Sequence, residues 1–228
     1  MRRGRPGISK LLRAGYPAPV DLVDRERYPR VAAYLGALPE GIRSHPDCQA
    51  KAAIVRRILH DRPLHATPEG ALPERLLELI HAPPLESEWI PEVLLMATVL
   101  AVADERRLDD EAFLGWVGPL NRELFHGIYG LVMSVLTPEF AARNAGSYWK
   151  MFHRGSSLVP ERAGDRRWSL RLVFPRALFS GLALRQYAPV IQVGFQFADP
   201  SAVVTLREQA SEWARFDVAW GGARVGGA

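Results

Sequence analysis

Cysteine is almost missing from this chain. Cys48 is the only one in 228 residues, which excludes an intrachain disulfide and any cysteine-cluster zinc or iron–sulfur centre. Long hydrophobic runs are missing too. The longest, Val93–Ala103, is well short of the roughly 20 residues that span a bilayer. The start Met1-Arg2-Arg3-Gly4-Arg5 is followed by Pro6, Gly7 and Ser9, with only Leu11-Leu12 apolar, so no secretory signal is read. The expectation is a cytoplasmic protein with no membrane segment. Lysine is scarce as well: three lysines stand among 29 basic residues. A GC-rich genome would favour arginine in this way, so arginine alone carries no functional reading.

Catalytic motifs are equally lacking. No Gly-x-Ser-x-Gly is present to hold a serine on a strained turn. Neither a Gly-x-x-x-x-Gly-Lys-Ser/Thr phosphate loop nor a Gly-x-Gly-x-x-Gly after a strand occurs. Hydrolysis by a serine nucleophile, phosphoryl transfer and dinucleotide redox chemistry are therefore disfavoured. His45, His60, His65, His81, His126 and His153 form no His-Glu-x-x-His pair, and Pro63 keeps His60 and His65 off a common helical face. His126 lies in Leu124-Phe125-His126-Gly127-Ile128-Tyr129, where a hydrogen-bonded core histidine is favoured over an axial ligand. No catalytic residue, metal ligand or cofactor is assigned.

What is present is an ordinary globular composition, 48% hydrophobic and 24% charged, with a strong internal charge asymmetry. Residues 1–30 carry +5, 31–142 carry −7 and 143–176 carry +6, while 177–228 balance. A solvated surface accounts for both basic blocks. Residues 1–25 hold Gly4, Pro6, Gly7, Gly15, Pro17 and Pro19 without periodicity and read as a flexible basic arm.

From residue 26 to 154 the pattern is helical. Tyr28–Leu38 is a short helix. Ser44 reads as an N-cap, with Pro46 in the first turn and Asp47 at the capping-box position of a helix reaching His60. Pro73 opens another helix that Pro83-Pro84 stop. Glu88–Glu105 is apolar nearly all round and belongs at the centre of the helical part. Asp109, Asp110 and Glu111 place negative charge at the start of a helix running to Leu136. Its Gly115, Gly118, Gly127 and Gly130 suggest close approach by neighbours, because each costs ~1 kcal/mol relative to alanine. Thr137-Pro138 starts a helix to about His153. The acidic pairs around residues 104–111 read as capping groups.

Near Gly155 the period changes from 3.6 to 2. Trp168, Leu170, Leu172 and Phe174 alternate with Ser169, Arg171 and Val173, and Ala163-Gly164-Asp165 turn this strand back on Ser157–Glu161. Ala202–Glu208 and Glu212–Trp220 form a second hairpin. Pro175 to about Phe197 reads mainly as helix, with Pro189, Val190, Ile191 and Val193 leaving a strand open. The expected fold is α+β: an N-terminal helical bundle packed on a C-terminal ββαββ unit with a four-stranded antiparallel sheet over residues 155–220. Residues 221–228 form a frayed tail.

Ser147-Tyr148-Trp149-Lys150-Met151-Phe152-His153-Arg154-Gly155, then a hairpin, a helix after Pro175 and a last strand ending Phe216-Asp217-Val218-Ala219-Trp220, resemble a paralogous family of bacterial domains of unknown function. That family is similar in layout to 4-vinyl-reductase-like and heme-NO-binding-like sensor domains. The resemblance implies helices packed on a four-stranded sheet around a small-molecule pocket or a protein-binding surface. The heme-binding relatives use an axial histidine with Tyr-x-Ser-x-Arg, and this chain has no Tyr-x-Ser-x-Arg.

Two places are singled out for binding. Tyr148, Trp149, Phe152 and His153 are the densest aromatic group, paired at i,i+4 as Tyr148 with Phe152 and Trp149 with His153. Arg154 beside them offers a charge to an anionic ligand. The second place is Arg3-Gly4-Arg5-Pro6, the core of an AT-hook, whose arginines would enter the narrow minor groove of A·T-rich DNA. The preferred reading is a non-enzymatic sensor or adaptor that takes a protein partner or a small anionic or aromatic ligand at the helix–sheet junction. A DNA-associated regulator using the arm is the alternative. Homo-oligomerisation stays open.

Overall fold

The computed structural model describes residues 22–64, 67–68, 70–128 and 137–222, with backbone only for 123–128. Arg3, Gly4, Arg5 and Pro6, the tail beyond residue 222 and the stretch expected to carry helix on to Leu136 lie outside the described residues. Within them the chain is α+β, with eight α-helices and two antiparallel sheets. We number the helices α1 Pro29–Ala37, α2 Ala52–Asp61, α3 Glu74–His81, α4 Glu92–Glu105, α5 Asp110–Ile128, α6 Pro138–Arg143, α7 Ala145–Phe152 and α8 Gly181–Gln196. The strands are β1 Gln49–Lys51, β2 Trp89–Pro91, β3 His153–Arg154, β4 Ser157–Gly164, β5 Arg167–Val173, β6 Val203–Gln209 and β7 Trp213–Ala219.

Helix α4 is the axis of the helical layer. Nearly every side chain from Glu92 to Asp104 is buried, as a helix apolar on all sides requires, and α1, α2, α3, β1 and β2 pack around it. Its C-terminal carboxylates cap a neighbour. Asp104 accepts from the backbone N–H groups of Arg30 and Val31, at 2.9 and 3.3 Å. These are among the donors that the first turn of α1 leaves unpaired. Burial raises the Asp104 carboxyl above the ordinary range against those hydrogen bonds. Glu105 binds Arg27 at 2.7 Å, and Asp109 caps α5 through the Ala112 N–H.

The four-stranded sheet runs β4-β5-β7-β6. Trp168, Leu170 and Leu172 stand opposite Val218, Phe216 and Ala214, and all six are buried, so period-2 alternation makes one inner face. Helix α8 lies on β6 and β7 and packs against α5. Its start is capped by Ser180, whose hydroxyl accepts from the Ala183 N–H, and Pro189 lies within it. Residues 189–196 are therefore helix. Buried residues of the helical layer and of the sheet form one continuous hydrophobic core.

Several local expectations are corrected. Ser44 is not a helix N-cap: it follows the short 3-10 turn Gly41–Arg43, and its hydroxyl accepts from the Glu40 N–H. Residues 49–51 are strand, so α2 begins only at Ala52. Trp89–Pro91 is likewise strand, and α4 begins at Glu92 rather than Glu88. With β3 these make a small sheet of order β2-β1-β3, too short to show alternation in the sequence. The helix expected from Thr137 to His153 breaks at Asn144. The Thr137 cap on α6 stands, its hydroxyl accepting from the Phe140 N–H. The first hairpin turns at Asp165-Arg166, with Gly164 inside β4. Of the α5 glycines, a Cβ added at Gly118 would stand 4.0 Å from the Pro189 Cβ, and one at Gly115 would meet nothing within 4 Å.

Candidate ligand pocket at the helix–sheet junction

Two backbone features set α7 where the helical layer meets the large sheet. Gly146 lies so close to β4 that an added Cβ would stand 2.5 Å from the Leu158 carbonyl oxygen. Gly155, at φ +73°, packs on Cys48, where a Cβ would meet Sγ at 2.6 Å. These glycines admit the close approach and the left-handed turn that other residues would not. Gly146 lies within α7.

Between α7 and its neighbours lies a cavity of about 160 Å³. Helix α2 contributes Ile54 and Ile58, and α4 contributes Leu95, Met96 and Val99. Helix α5 adds Trp116, Val117 and Leu120, and α8 adds Val190, Ile191 and Phe195. From the junction come Tyr148, Trp149, Phe152 and His153, the aromatic group singled out in the sequence. Arg154 is elsewhere. Its guanidinium lies 3.8 Å from the Trp89 ring centroid, with the Lys51 ammonium 4.1 Å from the same ring, and it does not line the cavity. Strand β3 alternates, turning His153 inward and Arg154 to solvent.

The cavity wall has a polar element. His153 stacks on Trp149 with centroids 4.0 Å apart and planes at 16°. Its Nδ1 lies 2.9 Å from Oε2 of Glu92, a carboxylate with no exposed surface. The small sheet makes this contact, because β1 pairs with β2 just before Glu92 and with β3 at Ala50↔His153. Tyr187 sets its ring edge against Trp149, centroids 5.2 Å apart. Burial pushes its hydroxyl well above the ordinary tyrosine value, and the Glu92 charge adds to that. Burial likewise raises the Cys48 thiol to about 11, with Glu92 and Asp47 contributing. Glu92 Oε1, Gln186 Oε1 and the Tyr187 hydroxyl are buried in this region without a hydrogen-bond partner. Gln186 and Tyr187 both line the cavity.

Sequence reasoning missed Glu92, Gln186 and Tyr187. The available signal was polarity out of place. Glu92 heads a run of apolar residues, and Gln186-Tyr187 fall within the mainly apolar segment Leu182–Phe195. Trp149 had a second partner that spacing could not show: its indole N–H donates to Ser156 Oγ at 3.0 Å.

Heme, which the resemblance implies for some relatives, does not fit the site the described residues make. A space of this volume matches a cavity of ~150 Å³ that holds benzene, and a porphyrin is several such rings wide. His153 is the one imidazole on the described wall, its ring stacked on Trp149 and its Nδ1 held by Glu92. The His126 side chain lies outside the described residues. Among these, no group of three His, Cys, Asp or Glu side chains could hold a metal ion, and no helix is long and apolar enough to cross a membrane.

No protein-family model matches the chain, and no curated protein matches it. Among solved structures it is similar to H-NOX domains. An H-NOX protein from S. oneidensis in the Fe(II)NO ligation state is 11% identical with a TM-score of 0.49, the match covering 75% of this chain and 99% of that one. A mutant H-NOX protein from K. algicida, unliganded Fe(II), is 10% identical with a TM-score of 0.48, covering 75% and 96%. An oxygen-binding H-NOX domain related to soluble guanylate cyclases is 7% identical with a TM-score of 0.41, covering 60% and 76%.

Proposed function

We propose that the protein is a sensor module that takes a small, mainly apolar molecule into the cavity between α2, α4, α5, α7 and α8. The cavity itself carries this reading. It is lined largely by aliphatic and aromatic side chains, bordered by a few polar groups, and sits where the two layers of the fold meet, the features of a small-molecule site. An apolar space of this size excludes water poorly compensated by polar partners and rewards an apolar guest. Occupancy would press on Trp149 and His153, and the His153–Glu92 hydrogen bond carries that displacement to the small sheet.

The decisive variant is Gly194→Leu. Gly194 lines the cavity, and a Cβ there meets nothing within 4 Å, so the leucine fills the cavity. Replacing a helical glycine also gains up to ~1 kcal/mol of propensity. The expected result is a variant as stable as the natural protein or more so, in which single-ring compounds no longer raise the melting temperature. If no small apolar compound stabilises the natural protein, or if Gly194→Leu leaves such binding unchanged, the reading fails.

A further inference from the structure

We infer that the ligand is a small apolar acid, one ring or a short chain ending in a single carboxylate, held by Arg57 and by Nε2 of His153. The inference rests on the cavity reading above and adds the ligand's charge.

Arg57 stands three residues after Ile54 and one before Ile58 on α2, so it shares their helical face, and all three line the cavity. A guanidinium keeps its charge in a protein. The described lining holds no Asp or Glu, and its remaining titratable side chains are Tyr148, His153 and Tyr187. A mainly apolar space with a fixed positive charge on its wall and no acid selects one negative charge, because a charge taken out of water is stable only with a partner. The space limits the acid to about one ring, since ~150 Å³ holds benzene.

His153 supplies the second contact. Its side chain is 7% exposed, and Glu92 occupies Nδ1 at 2.9 Å. No described residue bonds Nε2. Nor is Nε2 sealed, as Gln186 Oε1 and the Tyr187 hydroxyl are, so on a side chain bordering the cavity it is the nitrogen left open to it. A carboxylate at Nδ1 only accepts, which fixes the ring proton there and leaves Nε2 its lone pair. A ligand carboxylate entering with one proton from solvent makes the imidazole a donor on both sides, Nδ1–H to Glu92 and Nε2–H to the ligand. The ring then separates the two carboxylates, Arg57 offsets the second, and the site gains no net charge. The groups packed around the pair stay neutral at neutral pH: burial raises the hydroxyls of Tyr34 on α1 and Tyr187 on α8, and the Cys48 thiol beside β1.

Calorimetric titration of the full chain with benzoate and with toluene, at neutral pH in two buffers of different ionisation enthalpy, tests this. Benzoate loses far more than toluene on leaving water, so a preference for it requires charged partners inside. The expected result is benzoate bound at least about tenfold more tightly, the worth of one charge-assisted hydrogen bond, with about one proton taken up per benzoate. Arg57→Met lowers benzoate affinity about tenfold and leaves toluene affinity unchanged. His153→Phe alone would strand Glu92 without a partner, so the double variant Glu92→Leu with His153→Phe is used. In it proton uptake vanishes and the benzoate preference falls, while toluene still binds. Circular dichroism confirms that each variant is folded. Toluene bound as tightly as benzoate, or a benzoate preference that survives both variants, overturns the acid inference and leaves the cavity reading standing. Benzoate bound without proton uptake overturns the role of His153. Failure of both compounds to bind overturns the cavity reading as well.

Discussion

Replacing Glu92 by alanine tests the buried polar contact beneath the cavity. The substitution removes a fully buried carboxylate and leaves Nδ1 of the buried His153 without its partner at 2.9 Å. Breaking a buried pair by deleting one member costs about 3–5 kcal/mol, because the other stays buried and uncompensated. Part of that is returned. Glu92 Oε1 has no partner in the folded protein, and removing an unsatisfied buried oxygen relieves about 1–3 kcal/mol. Taking the middle of each range, the net expectation is a loss of about 2 kcal/mol, or roughly 4–8 °C in melting temperature for a chain of this size. Urea unfolding with an unchanged slope would show that the change lies in the folded state. Glu92→Gln, which keeps the shape and a hydrogen-bonding oxygen, loses less. Glu92→Leu combined with His153→Phe replaces the pair by apolar groups and recovers most of the loss. A Glu92→Ala stability within about 0.5 kcal/mol of the natural protein, the range of a surface change, contradicts the buried contact. So does a double variant that shows the simple sum of its single changes, since residues in contact should couple.

Three further perturbations have definite expected outcomes. Gly146→Ala should destabilise by about 1–3 kcal/mol despite the better helix propensity of alanine, because its Cβ would collide with the Leu158 carbonyl of β4; a melting temperature at or above that of the natural protein contradicts the close approach. Acid should weaken the fold through Glu105 and Asp110, which Arg27 and Arg185 respectively hold below their ordinary values of 4.5 and 3.8. Their contribution is complete above those ordinary values and is lost as pH falls through the lowered ones. Arg185→Gln should make the decline in the urea midpoint between about pH 5 and pH 2 shallower, and an identical decline contradicts the pairing. Gly155→Val should cost more than Gly146→Ala, as it combines a positive φ with a clash against Cys48; unfolding midpoints of the two variants make the comparison.

How far the sequence reveals this molecule depends on the range of the interaction. Elements with an unbroken period could be read directly. The apolar circumference of residues 93–103 gives the central helix, and Trp168 to Leu172 give the inner face of β5, because burial of such a pattern is nearly forced. The aromatic spacing of residues 148–153 placed four side chains that line one cavity. The three-residue strands left no such trace: Gln49–Lys51 and Trp89–Pro91 are too short for a period and are made strand by each other and by β3. The polar centre is less legible still. Glu92 and His153 are 61 positions apart and meet only because both neighbours of β1 end beside it. A glutamate heading an apolar helix reads as a favourable charge on the dipole, and a histidine after three aromatics reads as part of their stripe. Neither local reading is wrong, and neither contains the contact. What local chemistry does supply is a question: each buried polar atom must have a partner.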